Sequence, residues 1–168
     1  MGVDFSGPDL TVEEIKKATK ALWKVGVTSY FPTIITSDFS RMKKNFTILS
    51  KAKEDPEIGS SLAGFHLEGP YISPVDGFRG AHLEKYTRKP NWQEFLILQK
   101  AAKNNIRLIT VAPELDGAIQ FIKKLVDSGV IVSLGHHNGS VSQIKDAVTA
   151  GARMATHLGN GCAKMINR

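Results

Sequence analysis

Five runs of apolar, β-prone residues alternate strictly with five stretches of helical periodicity along this chain of 168 residues. The strand-like runs cover residues 27–34, 62–67, 106–112, 130–135 and 153–158. The helical stretches cover residues 11–25, 40–52, 92–104, 116–128 and 140–150. In the first helical stretch Val12, Ile15, Ala18, Leu22 and Val25 recur at three- and four-residue steps, the period of an amphipathic helix. Thr11 with Glu14 three residues on is a capping-box signature, and Asp116 reads as the cap of the fourth helix. Near-continuous apolar strands joined by helices specify a parallel sheet with covered faces. Such a sheet is either open and doubly wound or part of a (β/α)8 barrel. No Gly-x-Gly-x-x-Gly follows any strand, which disfavours a dinucleotide-binding open sheet.

Three short islands favour the barrel. They are Phe65 to Pro70, Ser133 to His137 and Ala155 to Asn160. Each sits where a strand-like run stops, and each presents a metal-competent side chain. Glu68, His136 and His157 are the candidates, with His137 competing with its neighbour. One carboxylate and two imidazoles on separate strand ends is how an α/β barrel builds a metal site. Each residue also has a plainer reading. Glu68 could be a lone loop acid, and His136 could be a satisfied core histidine. His66 points the same way as Glu68 on a strand and reads, like His137, as a supporting donor. The expected fold class is α/β, a partial (β/α)8 TIM-type barrel of about five βα units. A barrel needs eight strands, so residues 1–168 are expected to be one domain, an incomplete catalytic barrel lacking the first and last strands. The segment from Glu68 to about Pro90 exceeds an ordinary βα connection and reads as a functional loop.

Composition narrows the function. A single cysteine, Cys162, permits no internal disulfide and fits a reducing cytoplasm. The net charge is +6, from 22 basic and 16 acidic residues. The lysines fall at helical spacing, as on solvated helix faces. There is no clustered basic stripe with interleaved aromatics, so nucleic acid is not an expected partner. No apolar run is long enough to span a membrane.

His66-Leu67-Glu68-Gly69-Pro70, Gly80-Ala81-His82, Val111-Ala112-Pro113-Glu114, Leu134-Gly135-His136 and Ala155-Thr156-His157-Leu158 follow one another along the chain. In that order they resemble the N-acetylglucosamine-6-phosphate deacetylases of the amidohydrolase superfamily. The resemblance covers essentially the whole chain. It implies a metal-dependent amide hydrolase that converts N-acetylglucosamine 6-phosphate to glucosamine 6-phosphate and acetate. It implies a divalent cation, zinc first, with iron or manganese also suited, held by Glu68, His136 and His157. It further implies substrate contacts at Ala81, His82, Asn160 and Gly161, a phosphate contact at Arg168, and a homo-oligomeric full-length enzyme. The family's general-base aspartate follows a late strand that has no counterpart here, so the chain alone is expected to be inactive. Another amidohydrolase, a cyclic amidase or deaminase, is the alternative, as is a non-catalytic fragment. The family has a bulky aromatic and then Asn-Ala-Met after His-Leu. This chain has Gly159, Asn160, Gly161 and Cys162, which leaves the exact sugar open.

Overall fold

The structure, a computed structural model, describes residues 2–159. Its elements run α1 (Val12–Trp23), β1 (Thr33–Ile35), α2 (Phe39–Lys53), β2 (Phe65–Glu68), α3 (Trp92–Ala101), β3 (Ile106–Val111), α4 (Ala118–Asp127), β4 (Ile131–Leu134), α5 (Val141–Thr149) and β5 (Met154–Ala155). The five strands form one sheet in the order β1-β2-β3-β4-β5, and every pairing is parallel. That order separates the two closures left open by the sequence. A doubly wound sheet reverses direction at a switch point. Here each crossover steps the same way, and right-handed crossovers then put all helices on one face. The result is an arc of barrel wall with helices outside.

The register sorts the strand residues into two rows. Ile34, Leu67, Ile109 and Val132 pair across neighbouring strands, and all are fully buried. They pack into one core with Phe46, Leu49, Phe95, Leu98, Phe121 and Leu125 from the helices. Burying one such side chain contributes about 1.5–3 kcal/mol. Side chains alternate along a strand, so Thr33, His66, Glu68, Thr110 and Ser133 form the opposite row, toward the barrel interior. That row sets these polar side chains among Ile35, Leu108, Ile131 and Met154, where the helix-facing row is apolar.

Several expected boundaries shift for local reasons. The run 27–34 yields a strand only at Thr33–Ile35, with one isolated bridge from Tyr30 to Leu62. Pro32 lies between them and has no N–H to give the ladder, although its carbonyl accepts from the His66 N–H. The fourth helix is capped at Gly117 (φ 79°), not at Asp116, whose carboxylate instead pairs with Lys89 at the surface. The last run, 153–158, holds only two strand residues, Met154 and Ala155. The capping boxes at Thr11/Glu14 and Ser140/Gln143 are both formed. Lys16 and Lys20 pair with Asp55 and Glu57 on a solvated helix face.

Candidate metal centre

The carboxyl ends of β2 and β4 and the turn after β5 meet at one point. Glu68 closes β2, His136 follows β4 by two residues, and His157 follows β5 by two. Their ligand-type atoms all lie within 4.8 Å of one another. Glu68 Oε1 accepts from His136 Nε2 at 2.7 Å and from His157 Nε2 at 2.9 Å. A divalent cation would take the place of those two shared protons, and one carboxylate oxygen with two imidazole nitrogens is a donor set that such cations favour. The three residues therefore fit a metal. Glu68 and His136 are almost enclosed, while the His157 side chain is 49% exposed, so the cluster opens on that side.

Both histidines adopt left-handed backbone, at φ 52° for His136 and φ 56° for His157. For a residue other than glycine this costs roughly 1–3 kcal/mol and persists only when the surroundings impose it. The loop after β2 does part of that work. Ser73 N–H donates to the His136 carbonyl at 2.9 Å, and Gly80 lies against the His136 ring, 3.3 Å from its Cε1 to where a Cβ would stand. The same loop delivers His82. Its Nδ1 lies 2.8 Å from Thr36 Oγ1, its Nε2 is 3.8 Å from Glu68 Oε1, and its ring meets that of His136 edge-on at 4.3 Å. Its neighbour Ala81 is exposed. The loop's two ends are tied together by Arg88 N–H to the Pro70 carbonyl at 3.0 Å. Arg88 and Tyr71 also converge on the Glu94 carboxylate.

His137 turns away from this point. Its Nδ1 accepts from the Gly139 N–H at 3.2 Å, and it is absent from the metal-competent group. Glu114 has a local partner of its own. Its Oε1 accepts from the Asn138 N–H at 2.7 Å, pinning the loop that carries His136. Its Oε2 is sealed without a partner among the described residues. Asn160, Gly161, Cys162 and Arg168 lie outside the described residues.

Electrostatics follow from this crowding. Burial alone would raise the Glu68 carboxyl, but hydrogen bonds from His136 and His157, with the His82 imidazole 3.8 Å away, hold it well below the usual range. Glu68 is therefore an anion ringed by imidazoles. Burial pushes His66 from 6.5 down to about 4; Glu68 opposes that shift, and His157 and His136 add to it. Burial likewise lowers His137. The His66 shift has a consequence for stability. Between pH 6.5 and about 4 the unfolded chain carries a proton on His66 that the folded chain does not. Stability is then lost as pH falls through that window, by about 3 kcal/mol if the shift is fully expressed. In excess chelator, urea midpoints taken from pH 7 to pH 4 should fall less steeply for His66→Gln than for the unaltered chain. Parallel slopes would refute this.

No protein-family model matches the chain. Curated relatives do. The N-acetylglucosamine-6-phosphate deacetylase of Caenorhabditis elegans is 36% identical over 174 residues, covering 99% of this chain and 41% of that protein. The N-acetylgalactosamine-6-phosphate deacetylase of Shewanella sp. (strain ANA-3) is 35% identical over 158 residues, covering 94% of this chain and 39% of that protein. Among solved structures, the N-acetyl-D-glucosamine-6-phosphate deacetylase of Mycobacterium smegmatis, in an aspartate-to-alanine variant holding N-acetyl-D-glucosamine-6-phosphate, superposes with a TM-score of 0.84 at 30% identity. That match covers 94% of this chain and 39% of the other. The chain thus spans about two fifths of the length of the relatives it matches. The relatives match it in sequence and in fold along nearly its whole length, and the chain is homologous to about two fifths of the N-acetylglucosamine-6-phosphate deacetylases.

Proposed function

We propose that this chain supplies the metal-binding wall of a hydrolase that removes the acetyl group from N-acetylglucosamine 6-phosphate, giving glucosamine 6-phosphate and acetate. The convergence of Glu68, His136 and His157 carries this reading. Zinc is the first choice of cation, and iron and manganese suit the same donors. When bound, the cation supplies Lewis acidity toward a water and the acetyl carbonyl. Glu68 contributes the negative charge. His136 and His157 contribute nitrogen donors, and the open side at His157 admits the sugar. His82, beside Glu68 and His136, and its exposed neighbour Ala81 are assigned to the substrate. By their place in the sequence, Asn160 and Gly161 are assigned to the sugar and Arg168 to the phosphate. Glu114 is not assigned as general base, because one oxygen is engaged by Asn138 and the other is sealed. That base, an aspartate in the family, is assigned to a part of the enzyme beyond this chain, and the whole enzyme to a homo-oligomer. The Shewanella relative is named for the galactosamine epimer, so N-acetylgalactosamine 6-phosphate is the second candidate substrate.

Calorimetric titration of the zinc-loaded chain tests the assignment. N-acetylglucosamine 6-phosphate should bind more tightly than unphosphorylated N-acetylglucosamine. Arg168→Ala should erase most of that difference, since a hydrogen-bonded charged contact is worth about 1.5–3 kcal/mol. Equal binding of the two sugars by the unaltered chain would move the reading to another amidohydrolase.

A further inference from the structure

Behind the metal-competent cluster, five side chains from all five strand segments touch in a line. Thr33 Oγ1 lies 3.4 Å from the Phe31 carbonyl oxygen and 3.1 Å from His66 Nδ1. His66 Nε2 lies 2.8 Å from Thr110 Oγ1. Thr110 Oγ1 lies 2.8 Å from Thr156 Oγ1, which lies 2.7 Å from Ser133 Oγ. We propose that this line is a one-directional hydrogen-bond relay, running from Ser133 to the Phe31 carbonyl, that positions Glu68 and His157, with His66 held as the Nδ1–H tautomer. The proposal rests on the metal-centre reading above.

Proton counting sets the direction. Each hydroxyl has one proton to give, and a neutral imidazole has one N–H. Suppose Ser133 donates to Thr156, Thr156 to Thr110, Thr110 to His66 Nε2, His66 Nδ1–H to Thr33, and Thr33 to the Phe31 carbonyl. Then five protons satisfy five contacts. The reverse order uses four of the contacts. It also leaves the Ser133 hydroxyl, 2% exposed, without an acceptor among the described residues, and a buried unmade bond costs about 1–3 kcal/mol. A line in which each inner member both gives and receives is also mutually polarised.

The relay touches the ligands through the chain itself. Thr156 is the residue before His157, and His66 sits two before Glu68 on the same strand face. Gly135 leaves the space in which the hydroxyls meet. A Cβ there would stand 2.5 Å from Thr156 Cβ and 2.9 Å from Thr110 Cγ2. An alanine would push the two threonines apart. The relay thus fixes the left-handed turn at His157, the ligand with the least burial around it.

Two measurements on the full 168-residue chain test this. The first is imidazole nitrogen NMR, with His66 assigned by its loss in His66→Gln. A protonated Nδ1 and bare Nε2 are expected; protonation at Nε2, or at both nitrogens, overturns the direction. The second is zinc affinity by competition with a chelating dye. Thr156→Val keeps the shape and removes the hydroxyl. It should weaken zinc binding about 10–100-fold, as losing an outer partner of a ligand does, while Thr156→Ser should stay within about threefold. Unchanged affinity in Thr156→Val overturns the positioning role. If that variant does not fold, Ser133→Ala carries the test, and unchanged affinity there overturns it equally. His157→Ala separates the two readings. Zinc retained at full affinity in that variant sinks the metal centre itself; zinc lost there but undiminished in Thr156→Val sinks the relay alone.

Discussion

Glu68→Ala will strip the chain of metal more completely than either ligand histidine replaced singly. Glu68 Oε1 is the one atom bonded by both His136 and His157, and its carboxyl is held ionised by the imidazoles around it. Without it two neutral nitrogens remain, too few to hold a divalent cation against water. Glu68→Gln sharpens the argument. The amide keeps an oxygen of the same shape and can still accept from one imidazole, but it carries no charge. If shape alone held the site, Glu68→Gln would retain metal. The expected result is that both variants lose more than the roughly 10–100-fold that follows from removing an outer partner. The fold should survive, because Glu68 lies on the interior row and not among the packed side chains of the core. Elemental analysis after gel filtration in zinc, beside circular dichroism, reads both outcomes. Stoichiometric zinc in Glu68→Gln would show that the carboxylate is not the anchor.

Much of this arrangement was legible in the residues, and the failures have physical causes. The alternation of apolar runs with helical periodicity carried the parallel sheet, since burial on one face and helix packing on the other leave few alternatives. Glu68 and His136 stood out because each ends an apolar run. The first strand is shorter than its residues predict, because Thr28 to Phe31 is β-prone but feeds into Pro32, which interrupts the ladder. Asp116 looked like a cap, yet Gly117, free of a Cβ, takes the left-handed turn that starts the helix. The placement of the His82 side chain depends on how the loop from Gly69 to Arg88 folds back on itself, and no local periodicity encodes that. Thr110, Ser133 and Thr156 are not legible as site residues, because a hydroxyl on a strand is ordinary. One signal is present: Thr110, Ser133 and Thr156 each interrupt a run of apolar residues at an inward-facing position.

Gly69→Ala is expected to destabilise the protein by about 2–5 kcal/mol, combining left-handed backbone strain of about 1–2 with overpacking of about 1–3. Gly69 has φ 80°, where an L side chain is strained. An added Cβ would also stand 2.0 Å from Thr36 Oγ1, far inside contact distance. Thr36 is short, branched and 5% exposed, so it has little room to yield. Its hydroxyl is the partner of His82 Nδ1 at 2.8 Å, and any retreat breaks that bond next to Glu68. Thr36→Ala divides the two contributions. It removes the oxygen, and the nearest remaining atom of residue 36 is its Cβ at 3.3 Å, tight but tolerable after a small shift. Thr36→Ala alone should cost about 1–3 kcal/mol for the hydrogen bond left unmade at His82. Adding Gly69→Ala to it should then cost only the backbone part, about 1–2 kcal/mol. The two changes are therefore strongly coupled, as contacting residues are. Urea unfolding in excess chelator, with unchanged slope and shifted midpoint, gives each value. Simple additivity of the two would mean that the clash with Thr36 is relieved some other way, and that Gly69 is required for its backbone angle alone.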